Sequence, residues 1–306
     1  MNMIEGLFLG TSSMFPTKER SHSCVFLRNE TENILFDCGE GTQRQFQKSS
    51  LSYMQISKIF LSHFHGDHFL GIPGLIQTMQ LNDREEPVYI YGPKGGIDLV
   101  QQLLSLGYFR PEFRIIPKEV NDGDVLEFDE YIIRVLRVKH NVPAVAYALE
   151  EHQRPGKFNK PQALELGIPE GPLFSKLQHG EPITLKDGRR ITPDMVLGIS
   201  RPGRKIVFSG DTTPYDKLAS FSKHADVLIH EATFDSELAD IAGEYGHTTA
   251  YQAAEIAKEA DVETLFLTHI SPRYLDHHII ENDARKIFQK SYVPRDLQEV
   301  EVKLKK

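Results

Sequence analysis

The chain has few cysteines, no long apolar run and no excess of basic residues, and each absence excludes a class of protein. Its 306 residues include two cysteines, Cys24 and Cys38, which fit neither a disulfide framework nor the CxxC pairs of a zinc knuckle. The apolar runs are far too short to span a bilayer. A net charge of −8 argues against a protein that coats nucleic acid non-specifically, although local basic patches remain compatible with it.

The amino-terminal sequence MNMIEGLFLGTSS has neither a basic segment nor a long apolar segment. We therefore expect no secretory signal and a cytoplasmic location. Hydrophobic residues make up 40% of the chain and charged residues 25%, which is typical of a folded globular protein. The length is compatible with one large α/β domain or with two smaller ones.

Short apolar runs that end at a polar residue recur along the chain. They are NILFD, KIFLSH, PVYIYG, YIIRVLRVKH, KIVFSGD, DVLIHE and TLFLTH. Segments 70–81, 97–106 and 250–260 have helical spacing or helix-forming composition and lie between some of these runs. Interleaved strands and helices predict an α/β fold, and nearly continuous apolar strands predict sheets that helices cover.

Residues 151–190 break this pattern. The segment contains five prolines and five glycines, and no core strand or long helix is predicted within it. Seven Lys or Arg residues against five Asp or Glu residues give it a charge of +2, so the rest of the chain is near −10. We interpret it as a flexible arm inserted into a single domain that spans residues 1–306, with a simple surface insertion as the alternative.

The heptapeptide SHFHGDH predicts a metal site at the end of an apolar strand. Imidazole nitrogen and carboxylate oxygen are ligands of zinc and similar divalent ions, and His63, His65, Asp67 and His68 supply both within six positions. Gly66 is expected to permit a tight turn between the strand and a following helix. A single histidine is more often structural, but four such ligands this close together favour metal binding.

Three more candidates end other predicted strands, namely His140, Asp211 and His269. Taken alone, each could equally be a ligand or an ordinary polar residue at a strand exit. Together, the three complete two metal sites. The predicted first site holds His63, His65, His140 and Asp211, and the second holds Asp67, His68, Asp211 and His269. A bridging Asp211 would hold two ions about 3.5 to 4 Å apart. Asp37 is a candidate to orient an imidazole, or else a simple turn residue.

HFHGDH followed by His140, Asp211 and His269 resembles the metallo-β-lactamase superfamily over nearly the whole chain. The resemblance implies an αβ/βα sandwich, in which two mixed β-sheets pack face to face with helices outside and metals at one edge. This superfamily hydrolyses lactams, thioesters and phosphodiesters, so the fold does not name the substrate.

More specific stretches resemble the short form of the ribonuclease Z family. HEAT at 230–233 and HTT at 247–249 are similar to that family's HEAT and HST motifs, and PTKERS at 16–21 is similar to its PxKxRN loop except for Ser21. The arm lies where the family inserts its tRNA-binding exosite, and Gly171-Pro172 matches a motif of the short form's arm. The resemblance implies two Zn²⁺ ions per chain, with Mn²⁺ as another option, a precursor tRNA substrate and a homodimer.

The resemblance also assigns roles to three further side chains. Asp67 is similar to the family's proton acceptor for water that attacks the scissile phosphate, and His247 is expected to stabilise the phosphate or the departing 3′ oxygen. Glu231 is expected to orient His247. The alternative for His247 is an N-terminal position of the next helix, with Thr248 or Thr249 as the cap.

Two other functions remain open from the sequence. One is another hydrolase of the same fold, such as a glyoxalase II-like thioesterase or a small phosphodiesterase, which would cleave an acyl-glutathione faster than a precursor tRNA. The other is a non-catalytic RNA-binding or scaffold protein, which a metal content below one ion per chain would favour. No ligand position is lost in this sequence, which argues against the second alternative.

Overall fold

The computed structural model describes residues 3–29 and 32–304. The strands are β1 (Ile4–Gly10), β2 (Cys24–Arg28), β3 (Asn33–Phe36), β4 (Ile56–Phe60), β5 (Val88–Gly92), β6 (Ile115–Glu119), β7 (Val125–Glu127), β8 (Tyr131–Arg137), β9 (Val145–Glu151), β10 (Ile183–Thr184), β11 (Arg190–Ile191), β12 (Lys205–Phe208), β13 (Val227–Glu231), β14 (Thr264–Thr268), β15 (Ser291–Tyr292) and β16 (Gln298–Val302). The α-helices are α1 (Thr42–Lys48), α2 (Gly66–Phe69), α3 (Ile72–Leu81), α4 (Gly96–Ser105), α5 (Lys160–Glu165), α6 (Pro172–Gln178), α7 (Asp216–Phe221), α8 (Ala239–Tyr245), α9 (Ala250–Glu259) and α10 (His278–Arg285).

Fourteen of these strands form two mixed sheets. The first sheet has the order β16-β1-β2-β3-β4-β5-β6, and the second has the order β15-β14-β13-β12-β9-β8-β7. Strands β3 to β6 pair in parallel in the first sheet, and β12 to β15 do so in the second. All seven predicted strands lie in these sheets.

Aromatic side chains fill the space between the two sheets. The ring of Phe36 stacks on that of Phe208 with 5.4 Å between centroids, and Phe8 lies 5.2 Å from Phe266. The hydroxyl of Tyr147 donates a hydrogen bond of 2.8 Å to the carbonyl oxygen of Leu61, which satisfies its one polar atom in the core. This layer fixes the spacing of the sheets and therefore the distance between residues that leave their common edge.

Helices cover the outer faces of both sheets. Apolar residues of α1, α3 and α4 pack on the first sheet, and those of α7, α9 and α10 pack on the second, so the predicted αβ/βα sandwich is confirmed. Cys24 and Cys38 are buried free thiols, and burial raises the pKa of Cys38 to about 12. The longest α-helices within the described residues have ten residues, and none is able to cross a membrane.

Residues Glu151–Gly203 form a second compact unit. It contains α5, α6 and the β10–β11 pair, and it has its own apolar cluster, in which the rings of Phe158 and Phe174 lie 4.7 Å apart. Pro161 and Pro172 lie in the first turns of the two helices, where a missing N–H costs little, so residues that disfavour helix interiors here begin helices. The unit extends thirteen residues beyond the arm expected at 151–190, because Arg154 pairs with Arg201 and Phe158 with Leu197.

Candidate metal centre

The residues expected to bind metal lie at one edge of the two sheets, in loops that follow strands. His63 follows β4, His140 follows β8, Asp211 follows β12 and His269 follows β14. Strands that run in the same direction end at the same edge, so their exits meet there. The N–H of Val145 donates a 2.9 Å hydrogen bond to the carbonyl of Ser62 and joins the sheets beside the site.

The backbone turns sharply directly after three strands at this edge. Asp37, Gly210 and His269 have φ values of 58°, 58° and 57°. A Cβ on Gly210 would lie 2.6 Å from that of Ser62, so the residue before Asp211 needs glycine for both conformation and space. Gly66 is different, because it starts α2 without a positive φ, and the tight turn expected there does not require it.

Nitrogens of three histidines converge at one end of the site. His63 Nε2 lies 3.1 Å from His65 Nδ1, and His140 Nε2 lies 3.2 Å from the same atom. Asp211 Oδ2 lies 3.7 Å from His63 Nε2 on the inner side. These four residues are the set predicted for the first metal.

A second group shares the same Asp211 oxygen. Asp211 Oδ2 lies 3.3 Å from His68 Nε2 and 3.2 Å from His269 Nε2, and these two nitrogens are 3.2 Å apart. Asp67 Oδ2 lies 3.2 Å from His269 Nε2 and 3.6 Å from His68 Nε2. These four residues are the set predicted for the second metal.

The spacing of the donor atoms suits tetrahedral coordination. Four ligands at about 2.0 to 2.1 Å from a zinc ion lie about 3.3 Å from one another, since that is the edge of the tetrahedron they form. The eight donor-atom distances given above lie between 3.1 and 3.7 Å. Within the described residues, two sets of three donors, His63 with His65 and His140, and Asp67 with His68 and His269, each lie within 4.8 Å of one another. The donor chemistry therefore fits two divalent ions, with Asp211 between the two sets.

The outer ring nitrogens have partners that select the tautomer. His140 Nδ1–H donates to the Gly246 carbonyl at 2.8 Å, which leaves its Nε2 lone pair facing the site. His68 Nδ1 lies 2.7 Å from Asp37 Oδ2. Of the two roles that the sequence left open for Asp37, this contact favours orienting an imidazole over a simple turn residue. His63 Nδ1 contacts the Ser62 hydroxyl, and His269 Nδ1 contacts the Thr233 hydroxyl, both at 3.0 Å.

Charge in the cluster is unevenly divided. Burial, reinforced by His68, lowers the pKa of His63 well below its usual value, so that this imidazole is neutral. Burial alone would also lower the pKa of His68, but Asp211 and Asp37 raise it well above its usual value. Burial opposes ionisation of Asp211, yet His269 and His68 hold its pKa well below the ordinary range. Without metal, the site thus keeps a proton that a cation would displace.

His247 lies next to both ligand groups without belonging to either predicted set. Its ring centroid is 5.3 Å from those of His140 and His269, and its Nδ1 is 3.0 Å from Glu231 Oε1. Burial disfavours the charged ring, but Glu231 and Asp211 raise the pKa of His247 to about 9. Thr249, not His247, caps α9, so the two interpretations of the HTT motif are compatible.

Glu231 is buried beneath His247 and does not face the open side of the site. Its carboxylate accepts hydrogen bonds from the backbone N–H groups of Thr212, Thr233 and Thr248 and from the Thr233 hydroxyl. Such a fully occupied carboxylate fixes the position of its neighbours. We therefore regard Glu231 as a positioning residue for His247, although the sequence grouped it with the catalytic side chains.

Several contacts at the site were not foreseen from the sequence. The backbone N–H of Met14, which has a φ of 57°, donates to Asp67 Oδ2 at 2.8 Å. The Gly246 carbonyl and the Thr233 hydroxyl hold His140 and His269. The sequence offered one signal for each of these two contacts. Thr233 belongs to the HEAT stretch that contains Glu231, and Gly246 directly precedes His247.

Comparison with known proteins places this geometry in a family context. The family model described as the metallo-beta-lactamase superfamily matches residues 17–269. A protein named ribonuclease Z from Methanosarcina acetivorans is 47% identical over 301 residues, which cover 98% of each chain, and one from Methanothermobacter thermautotrophicus is 45% identical over 98% of this chain and 97% of its own. The crystal structure of human tRNase Z, short form, has a TM-score of 0.71 and 28% identity, covering 98% of this chain and all of that one.

Metal analysis of ligand variants tests the assignment of the two sites. We expect the His140→Ala and His269→Ala proteins each to lose about one ion per chain. Asp211→Ala should lower the metal occupancy of both sites, because its Oδ2 borders both groups. His224→Ala, which removes an exposed histidine just before β13 and so at the sheet edge away from these loops, is the matched control. Elemental analysis after dialysis measures the ions, and an Asp211→Ala protein that kept two would contradict the shared carboxylate.

Proposed function

The chain belongs to the metallo-β-lactamase superfamily and, within it, to the ribonuclease Z family, and from this membership we propose that it removes the 3′ trailer of precursor tRNA as a metal-dependent endoribonuclease. The supporting observation is that the two ligand groups and His247 converge at one sheet edge in a chain that is 47% identical to a ribonuclease Z over 98% of its length. The proposed products are a tRNA with a 3′-hydroxyl and a trailer with a 5′-phosphate.

The proposed cofactor is a pair of Zn²⁺ ions, and Mn²⁺ suits the same donors. The first ion would be held by His63, His65, His140 and Asp211, and the second by Asp67, His68, His269 and Asp211. When bound, such ions polarise a phosphate and bring the pKa of a bound water towards neutrality. The outer contacts of His68 and His140 hold the two rings so that each Nε2 faces this pair.

Asp67 is the proposed proton acceptor. Its Oδ2 is held by the Met14 N–H and contacts His269, whereas Oδ1 has no hydrogen-bond partner within residues 3–29 and 32–304. Burial raises the pKa of a carboxyl group, but His269 and His68 lower that of Asp67 below its usual range. A carboxylate that is ionised and held on one oxygen can take a proton from the attacking water on the other.

His247 is the proposed donor to the reacting phosphate. Glu231 engages its Nδ1, and no hydrogen-bond partner of its Nε2 is found within the described residues. The Nε2–H is therefore available to the phosphate or to the departing 3′ oxygen, where negative charge develops. The neighbouring Asp211 Oδ2, 3.9 Å from Nδ1, keeps this ring beside the ligand groups.

The unit Glu151–Gly203 is the proposed grip on the body of the tRNA. Ion pairs within it occupy Lys160 with Glu170 and Arg189 with Asp187. Four exposed cations have no acidic partner within the described residues, and these are Lys157, Lys176, Lys186 and Arg190. Contacts of cations with phosphates position RNA without reading its sequence, which suits an enzyme that acts on many tRNAs. Homodimer formation, a cytoplasmic location and the description of the chain as one domain with an inserted arm stay predictions.

The decisive assay is cleavage of a precursor tRNA that carries a 3′ trailer. We expect one cut that releases the trailer, and no cut after treatment with a chelator. Asp67→Ala should cut almost none of the precursor. This variant should still bind it, because the proposed RNA contacts of the protein lie elsewhere. Mapping both new ends and measuring binding by gel shift checks this. Faster hydrolysis of an acyl-glutathione than of the precursor would instead favour a thioesterase.

Loss of the His247 imidazole should slow the chemical step. His247→Ala is expected to lower kcat on precursor tRNA by at least ~10²-fold, the usual effect of removing a donor to developing charge. His278→Ala, at an exposed position, serves as the control. Single-turnover rates and metal content would be measured together, and a normal rate with full metal content would reduce His247 to a structural role.

Replacement of the arm should weaken binding of the precursor. The N–H of Gly198 donates to the carbonyl of Lys157, so residues 158–197 can be replaced by Asn-Gly, which closes a tight turn. We expect weaker binding of intact precursor, while a small phosphodiester is still hydrolysed because the ligand groups lie outside the replaced segment. Unchanged affinity for the precursor would remove the proposed role of the arm.

A further inference from the structure

We propose that three cations beside the metal centre, Arg137, Lys139 and Lys217, form a basic patch that binds the phosphates of the RNA strand next to the scissile bond. The inference rests on the proposed function, because it states where that function's substrate lies. It concerns a surface that adjoins the first ligand group at His140 and whose lining residues all lie outside the segment 151–203.

The basic patch lines an open groove of about 580 Å³. Apart from Asp122 in the β6–β7 loop, its walls come from three segments: the end of β8 with the loop after it, the loop after β12 with the start of α7, and the end of α8. Each of these three segments also leads to a residue of the candidate centre. These residues are His140, Asp211 and His247. His140 itself lines the groove, so the groove begins where the first ligand group ends.

Hydrogen bonds set the positions of the groove walls. The N–H of Thr213 donates to the carbonyl of Lys139 at 2.7 Å, and the N–H of Lys139 donates to the Thr212 hydroxyl at 3.2 Å. At the floor, Gly246 has a φ of 79°, and a Cβ there would lie 3.0 Å from His140 Nδ1. The contacts that place His140 and Asp211 thus also fix the backbone positions from which the cationic side chains extend.

The charges of the basic patch are unusual for this protein. The chain has a net charge of −8, yet the groove is lined by three cations and one carboxylate, that of Asp122. Asp122 Oδ1 accepts the backbone N–H of Arg137 at 2.8 Å and neutralises none of the three side chains as an ion pair. Within residues 3–29 and 32–304, no carboxylate lies at ion-pair distance from them. Lys139 Nζ instead lies 4.9 Å above the ring of Tyr215.

An RNA backbone fits these features better than a protein partner. Val138 is the aliphatic residue in the lining and is buried, and Tyr215 is only half exposed, so the groove lacks the apolar centre of a protein interface. Flexible, unpaired cations along an open groove are what phosphate groups require. A strand whose scissile phosphate lies at the metal ligands has neighbouring phosphates within reach of side chains that start beside His140.

The test uses the double variant Arg137→Ala/Lys217→Ala of the full chain loaded with zinc. On precursor tRNA, KM is expected to rise by about tenfold, and the slope of log(kcat/KM) against log[salt] is expected to become shallower by about 0.7 to 0.9 for each cation removed. The loss on the precursor should exceed any loss on a small phosphodiester, which does not reach the groove. Arg137→Lys/Lys217→Arg, which keeps both charges, should restore most of the affinity.

The control is Lys223→Ala/Lys258→Ala, which also removes two exposed charges. These lysines precede β13 and β14 and therefore lie at the sheet edge opposite the metal centre. An equal loss in both double variants would overturn the inference, because it would reflect the overall charge of the protein. Metal content is measured for each variant, and if the double variant loses metal, Lys217→Ala alone, in the first turn of α7, decides by the same two measurements.

The result separates this inference from the function on which it rests. If the wild-type protein does not cut precursor tRNA, the proposed function fails. If the wild-type protein cuts it but the double variant keeps the same KM and the same salt slope, the basic patch has no role while the function stands.

Discussion

The carboxylate of Asp211 is the contact on which the rest of the candidate centre depends. Its Oδ2 lies 3.7, 3.3 and 3.2 Å from nitrogens of His63, His68 and His269, so one buried anion connects both ligand groups. His63 and His68 follow a strand of the first sheet, whereas Asp211 and His269 follow strands of the second. The distance across the site therefore depends on how the sheets stack, and the contact of Phe36 with Phe208 is part of what sets it. A buried carboxylate among imidazoles is stable when a cation or proton compensates it.

Hydrogen bonds around the cluster fix the orientation of its side chains, so that their candidate ligand atoms face one another. Asp37 accepts from the backbone N–H of Ser62 at 2.7 Å and engages His68 through its other oxygen, so it links the HFHGDH segment to the end of β3. Asp37 and His269 both adopt left-handed backbone conformations, which cost about 1 kcal/mol each for residues other than glycine. Conformations of this kind persist where surrounding contacts determine them, and here they direct His269 towards Asp211 and Asp37 towards His68. Glu231 holds His247 at 3.0 Å and is itself fixed by four further hydrogen bonds, from Thr212, Thr248 and, twice, Thr233.

The distribution of charge suits the proposed polyanionic substrate and disfavours general adhesion to nucleic acid. Most of the chain is acidic, with a net charge near −10 outside residues 151–190. The unit Glu151–Gly203 and the groove beside His140 each carry exposed cations without an ion pair to any described residue. On the proposed function, each of these groups of cations would contact phosphates of the precursor, whereas the acidic remainder disfavours contact with other RNA.

The sequence by itself determined the candidate ligands and the ends of the strands that carry them, because an apolar run ended by His or Asp is a local pattern. KIFLSH, KIVFSGD and TLFLTH placed His63, Asp211 and His269 correctly at strand exits. Strands such as β16 were not singled out, since QEVEV is mostly polar and is a strand because it pairs with β1. The helices α5 and α6 were hidden by prolines that begin them. Only the tertiary structure decided which group orients each ligand: His140 meets the Gly246 carbonyl, and His269 meets Thr233. A hydrogen bond depends on two atoms meeting in space, and no pattern of neighbouring residues specifies that meeting.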